Sequence, residues 1–438
     1  MIRQAGLAAA ALVLGSCATM PATPHASLDA LARQYLGVQL AIGEKDPGYV
    51  DAYYGPEELA TAAEAQDAAT SIPALQARVL ALDTTLAALP VTAGSVEASR
   101  VRYLRAMLAS ARVRLRMLGG ERIPFQDEAE GLFGVRPELI DLATLDPVIA
   151  RIEELVPGTP ADGPLNERLN AFQDRFIIPA DRLDAVIDAA VAECRARTLP
   201  HIPLPAGENF TLSLVTDKPW GGFNYYQGNY HSVIEINTDL PTRLDRAVDV
   251  GCHEAYPGHH VYSTLIERDR VNALGQIEYT LLPLYSPRAI ISEGSATYGR
   301  RLAFPGDTQL AYERDVLAPM AGLDTRDLDS YYELRDALQG LAPAYYTIAA
   351  GYLDGTMTRE QAIAAQMRYR LMSRQRAEQN LRFMDTYRSY VVNYGLGEEI
   401  VGNAVETGPD GRPADLATRW ERFTRILNTP TLPEDLLP

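Results

Sequence analysis

Apolar positions recur at helical spacing over most of the chain. In residues 72–89 they fall three and four apart, and residues 95–118 repeat the spacing with arginines on the opposite side. That is the signature of an amphipathic helix with one buried stripe. Residues 180–196, the long run from 358 to about 394, and residues 414–427 read the same way. Thr358 followed by Gln361 forms a capping box that opens the long run.

One stretch departs from this rule. Residues 210–217 are rich in Thr, Leu and Val, and 231–237 alternate as His-Ser-Val-Ile-Glu-Ile-Asn. Between them lies a Gly- and Tyr-rich segment from Trp220 to Tyr230. Turn residues between β-prone runs predict a small antiparallel sheet or hairpin set at about 210–237. Such a hairpin either caps the helices or offers an open edge to an extended peptide. The fold class expected is mainly α.

Composition changes this picture little. The 438 residues are 47% hydrophobic and 22% charged, enough for a large buried core, and no fixed-period repeat suggests a solenoid. The net charge of -17 comes from 57 acidic and 40 basic residues spread along the chain. Without a basic stripe, no nucleic-acid partner is expected. Oligomeric state is not written in these features.

The N-terminus adds more. Arg3, an apolar stretch from Ala5 to Leu14, and then Leu14-Gly15-Ser16-Cys17 form a signal peptide too short for an ordinary membrane span. Leu-Gly-Ser-Cys is also a lipobox, in which the cysteine becomes lipidated and N-terminal after cleavage. The competing reading is a plain signal peptide cut near Ala18. The expected organisation is a signal peptide at 1–16, a lipidated N-terminus and tether at 17–26, and one helical catalytic domain at 27–438. Cys194 and Cys252 can form one bridge, though nothing in a chain of this size requires it. Cys194 reads better as a core thiol.

The candidate chemistry is concentrated. Of six histidines, three fall within the segment His253-Glu254-Ala255-Tyr256-Pro257-Gly258-His259-His260. It closes a helix expected to begin near Thr242. His-Glu on a helix opens the zincin pattern, in which two imidazoles one turn apart meet one metal ion. The glutamate beside the first reaches the water that the metal activates, as general base. Here the strict second histidine is replaced by Pro257, and His259 and His260 follow. In an unbroken helix His260 would lie about 10.5 Å along the axis from His253, too far for two bonds of about 2.0–2.1 Å to one ion. Pro257 cannot continue the hydrogen-bond ladder, and Gly258 tolerates a bulge. Two looped-out residues would bring His259 to the ligand position, leaving His260 as the alternative ligand or as a partner for another group.

Glu293, in Ser292-Glu293-Gly294-Ser295-Ala296, is the expected third ligand. Ser292 would cap a helix that Glu293 opens, and the small residues would let that helix approach the histidine helix. Two nitrogens and a carboxylate, with one open position, favour one zinc ion. The bland alternatives are a first-turn carboxylate and histidines at the edge of the core. Asp249, four residues before His253, could orient an imidazole. His231, Tyr390 and Tyr394 are candidate oxyanion donors, and Tyr387 shares the helical spacing of the two tyrosines. Arg388 reads as a solvated arginine or a holder of a substrate carboxylate.

The string from His253 to His260, followed by Glu293-Gly294, resembles the bacterial domain-of-unknown-function family 885. Tyr390 to Gly397 resembles a less specific motif of that family. The resemblance implies a zinc metallopeptidase related to the helical carboxypeptidase and angiotensin-converting-enzyme group. It further implies a helical body split by a groove, a small sheet beside the metal, and an outer-membrane lipoprotein facing the periplasm. The expected function is zinc-dependent hydrolysis of short or unfolded peptides, with Glu254 as base. The alternatives are a hydrolase of non-peptide amides or esters, and a non-catalytic lipid-anchored binding or scaffolding protein.

Overall fold

The computed structural model describes residues 24–407 and 411–437. Cys17, the signal segment and most of the expected tether lie outside them. Helices start where short polar side chains cap them. Ser71, Ser95, Ser286 and Asp415 accept from the backbone N–H of Ala74, Ala98, Ala289 and Thr418, satisfying donors that a helix start leaves free. The expected amphipathic segments appear as Ile72–Ala87, Val96–Leu118, Leu183–Thr198 and Leu416–Asn428. The Thr358–Gln361 capping box is present as well.

The run expected as one helix from 358 to 394 is instead three: Arg359–Tyr369, Arg374–Tyr387 and Val392–Glu406. Leu371 and Arg388 take positive φ, 52° each, and a helix does not continue through that region. At the second break the reason is a buried carboxylate. Arg388 donates twice to Glu128 Oε2, and the Ser389 N–H and hydroxyl donate to Glu128 Oε1. Arg388 is therefore held by a buried carboxylate, with its side chain still partly exposed.

Pro287–Ala303 is the central helix, buried on nearly its whole circumference. It begins at Ser286 and runs through Glu293, so Ser292 and Glu293 lie mid-helix and not at a start as the sequence suggested. The helices Leu244–Glu254, His259–Ile266, Val392–Glu406 and Leu416–Asn428 pack around it. Its closest neighbour is Val392–Glu406: a Cβ on Gly294 would lie 2.3 Å from the Gly397 carbonyl carbon, so the two backbones touch there. Gly294 thus serves this contact, and the same helix also packs against the histidine helix.

Two small sheets flank the helices. β2 (Asn209–Val215), β3 (Gly222–Gly228) and β4 (His231–Asn237) are ordered β2-β4-β3. β3 and β4 form a hairpin whose two loop residues, Asn229 and Tyr230, have φ of 53° and 58°, as the tight primed turns require. β4 buries Ile234 and Ile236 and takes the centre. β2, antiparallel in direction to β3, therefore pairs with β4 in parallel, where an all-antiparallel set was expected. A second, unforeseen sheet joins β1 (Val50–Tyr53) to β5 (Leu281–Pro283). No helix among the described residues is long and apolar enough to cross a membrane.

Cys194 is not a free core thiol. It is bonded to Cys252, with Cα atoms 5.5 Å apart and 58 residues of sequence separation. The bridge ties Leu183–Thr198 to the helix that carries His253. Closing a loop of that length removes roughly 4 kcal/mol of unfolded-state entropy. Replacing both cysteines with serine should lower unfolding stability by a few kcal/mol in urea titration. An unchanged midpoint would show that the bridge contributes nothing.

Candidate metal centre

The helix Leu244–Glu254 ends at its own functional residues. Ala255 closes the last turn on the Gly251 carbonyl, and the Gly258 N–H then folds back to the Cys252 carbonyl at 3.0 Å. A new helix, His259–Ile266, begins at once. A Cβ on Gly258 would sit 1.8 Å from the His253 carbonyl oxygen, so only glycine permits this reversal. Four residues, 255–258, lie outside both helices, and the reversal carries His259 back beside His253.

Their Nε2 atoms are 3.1 Å apart. Glu293, entering from the central helix, puts Oε2 3.2 Å from His253 Nε2 and Oε1 3.5 Å from His259 Nε2. Two ligand bonds of about 2.0–2.1 Å opened to a tetrahedral angle separate their donor atoms by about 3.3 Å. The three side chains match that spacing and form a cluster capable of coordinating a metal ion. Glu293 Oε2 is also buried with no hydrogen-bond donor, which such an ion would remedy.

Electrostatics within the cluster agree. Burial opposes ionisation of Glu293, but His259 and His253 hold its carboxyl far below the usual range. Burial likewise works against a charged His259, and the Glu293 carboxylate still raises it to about 9. The far nitrogens are oriented by the central helix itself: His259 Nδ1 meets Ser292 Oγ at 3.0 Å, and His253 Nδ1 meets Thr297 Oγ1 at 3.4 Å. These partners fix ring orientation. Neither was foreseen, although both lie within five residues of Glu293 and a search for hydroxyls there would have found them.

Asp249 was expected to do this orienting and does not. Its carboxylate pairs with Arg300 Nε at 3.0 Å and Arg246 at 3.6 Å, because two guanidiniums compete successfully for it. His260 turns from the cluster into the core, where Nδ1 meets Ser232 Oγ at 2.8 Å and Nε2 meets Glu208 Oε2 at 2.9 Å. Glu208 also accepts from Tyr256 and Arg195. Burial opposes its charge, yet hydrogen bonds from His260, Tyr256 and Arg195 hold it at about 2. His231 bonds Asn209 at the start of β4 and is not among the residues lining the cavity over the cluster.

That cavity measures about 720 Å³. Its walls include β1, β3, the two histidines and Glu293, together with Glu254, Tyr387, Tyr390 and Tyr394. Glu254 is buried, and its Oε2 has no partner. Burial pushes its carboxyl above the usual range. Its carboxylate lies against the backbone of β3, since a Cβ on Gly222 would come 2.6 Å from Oε1, and Asn224 donates to its main-chain carbonyl at 2.7 Å. Tyr390 donates to Glu293 Oε1 at 2.7 Å, and the Tyr394 ring stacks 6.3 Å from that of His253. Burial pushes both phenols well up, so they remain donors. Asp51 of β1 is a cavity carboxylate that sequence reading missed. Burial raises it to about 7, against the pull of His259.

No family model matches this chain, and no curated protein matches it. The resemblance to family 885 therefore rests on the quoted motifs. Among solved structures, a candidate lipoprotein from Colwellia psychrerythraea is 16% identical, covering 85% of this chain and 69% of its own, with a TM-score of 0.46. A candidate lipoprotein of unknown function from Shewanella oneidensis is 12% identical over 91% and 83%, with a TM-score of 0.46. Metallocarboxypeptidase 1 of Trypanosoma cruzi is 14% identical over 87% and 86%, with a TM-score of 0.43. Similarity at this level carries no chemical role from one chain to another.

The geometry separates the two neighbouring histidines experimentally. His259→Ala should weaken zinc uptake by more than the 10- to 100-fold typical of losing an outer partner. His260→Ala should keep most zinc affinity and lower thermal stability, because it strips buried Glu208 and Ser232 of a partner. Metal titration with parallel melting curves reads both, and the reverse pattern would transfer the ligand role to His260.

Proposed function

We propose that this chain is a zinc-dependent peptidase acting on short or unfolded peptides. The observation that carries the reading is the juxtaposition, on one cavity wall, of the His253–His259–Glu293 cluster and the partnerless carboxylate of Glu254. Two imidazoles and one carboxylate suit zinc best among the common divalent ions. When bound, the ion supplies Lewis acidity toward a carbonyl oxygen and eases ionisation of water.

The protein's own groups do the rest. Glu254 takes a proton from the attacking water and returns it to the leaving amine. Its raised carboxyl suits that two-way role, since a base that holds the proton too weakly cannot deliver it. Tyr394 is the donor assigned to the developing oxyanion, while Tyr390, whose single O–H goes to Glu293 Oε1, holds that carboxylate in place. The peptide preference is supported by β3, an edge strand whose residues 222–226 line the cavity. Its unpaired backbone groups can hydrogen-bond an extended chain. A cavity of about 720 Å³ falls in the range of small-ligand sites, so it admits a few residues and excludes folded proteins.

Export and lipid anchoring through Cys17 belong to the same proposal. Leu14-Gly15-Ser16-Cys17 motivates it, and the Cys194–Cys252 bridge suits an oxidising compartment outside the cytoplasm. The outer membrane, facing the periplasm, is the assigned location. Cys17→Ser should move the protein out of the membrane fraction or block its processing. A wild-type protein that is wholly soluble with an unmodified N-terminus would refute the anchor.

The activity is tested by digesting a peptide library with the zinc-loaded protein and reading products by mass spectrometry. Short peptides should be cleaved and a compact folded protein left intact. Glu254→Gln should retain zinc and lose turnover by about 10²-fold or more, the scale of general-base catalysis. Near-normal cleavage by that variant would remove Glu254 from the role.

A further inference from the structure

β1 carries one residue more than β5 opposite it: Val50 faces Pro283 and Ala52 faces Leu282. Asp51 is the extra residue of a β-bulge, a device that re-aims a side chain and recurs beside active sites. In a regular strand, neighbouring residues point to opposite faces. Here Val50, Asp51 and Ala52 all line the cavity over the metal cluster. Among the described residues no hydrogen bond or ion pair reaches the Asp51 carboxylate. Arg288, a cation outside the cluster whose charge acts on Asp51, is engaged with Tyr262 and the carbonyls of Tyr279 and Leu281.

Asp51 lines the same cavity as His259, Glu293 and Glu254, and the charges of all three act on it. An enclosed carboxylate without a partner is costly, and a cationic ligand group would relieve it. The remaining cavity arginines offer nothing to an ammonium, and two of them, Arg246 and Arg300, are already paired with Asp249.

We infer that Asp51 binds the α-ammonium group of the substrate, making this site selective for peptides with a free amino terminus cut close to that terminus. The inference rests on the peptidase reading above and deepens it. An α-ammonium lies a few bonds from the first carbonyl of its own chain, which matches a carboxylate beside the cluster. A lysine ammonium at the end of four methylenes would more naturally bind farther away.

The test compares a short unblocked peptide, its N-acetylated form, and acetylated forms carrying lysine at each position. Zinc-loaded wild type should prefer the free amine by about tenfold or more in kcat/KM, the scale of one charge-assisted hydrogen bond. Asp51→Asn should collapse that preference to within about threefold of unity, mostly through KM, and Asp51→Glu should restore part of it. No preference in wild type, or an equal loss for free and acetylated peptides in Asp51→Asn, would overturn the assignment. So would a loss confined to acetylated peptides containing lysine. If the wild type cleaves none of these peptides, the peptidase reading fails separately. Calorimetric binding of the free and acetylated peptides then decides amine selection, with equal affinities rejecting it.

Discussion

The contact between Gly258 and the His253 carbonyl governs the rest of the site. An unbroken helix would hold its successive histidines on a fixed screw, and six residues of separation would carry the second ring far past the first. The chain instead leaves the helix after Glu254 and crosses back over its end. That path passes 1.8 Å from the His253 carbonyl oxygen at the point where any other residue would place a Cβ. The reversal is supported from below: Pro257 packs where a Cβ on Gly299 would come 2.7 Å from its ring. The geometry of the His253–His259–Glu293 cluster is thus set by backbone packing.

The central helix answers that reversal from the other side. One short stretch of it supplies Glu293, the hydroxyl partner of His259 and the hydroxyl partner of His253. Its depth is set by the backbone contact at Gly294 and Gly397, and overpacking there would move Glu293 with it. The same approach brings Tyr390 within 2.7 Å of Glu293. The disulfide holds the histidine helix from outside, one residue before His253. The cluster is therefore braced by elements from widely separated parts of the chain.

Around this rigid centre the cavity is asymmetric. One wall is β3, with edge backbone groups and the Glu254 carboxylate against Gly222. Another is β1, with the bulged Asp51. Helical residues such as Phe383, Tyr387 and Tyr394 close a third. Strands place hydrogen-bonding backbone at a site where helices, whose backbone is internally satisfied, cannot. This explains why β1 and β3 stand at the cavity of a mainly helical chain.

What the sequence determined by itself was local. Helical periodicity, serine and threonine caps, and the β-prone segment near 210–237 depend on residues a few positions apart, whose geometry the backbone repeat dictates. The need for a break at Pro257-Gly258 followed from helix rise and bond length in the same way, whereas it is the fold that brings His259 beside His253 and turns His260 toward Ser232. Tertiary structure decided what joins distant segments. β1 and β5 meet across some 230 residues of sequence, so neither the bulge nor Asp51 had a local signal. Cys194 and Cys252, Arg388 and Glu128, and Asp249 and Arg300 found partners through packing. Ser292 looked like a helix start because capping is judged from neighbours alone, whereas the folded chain buries it mid-helix against His259. Spacing along the chain constrains residues that share a turn, but partners across a core are selected by which surfaces exclude water together.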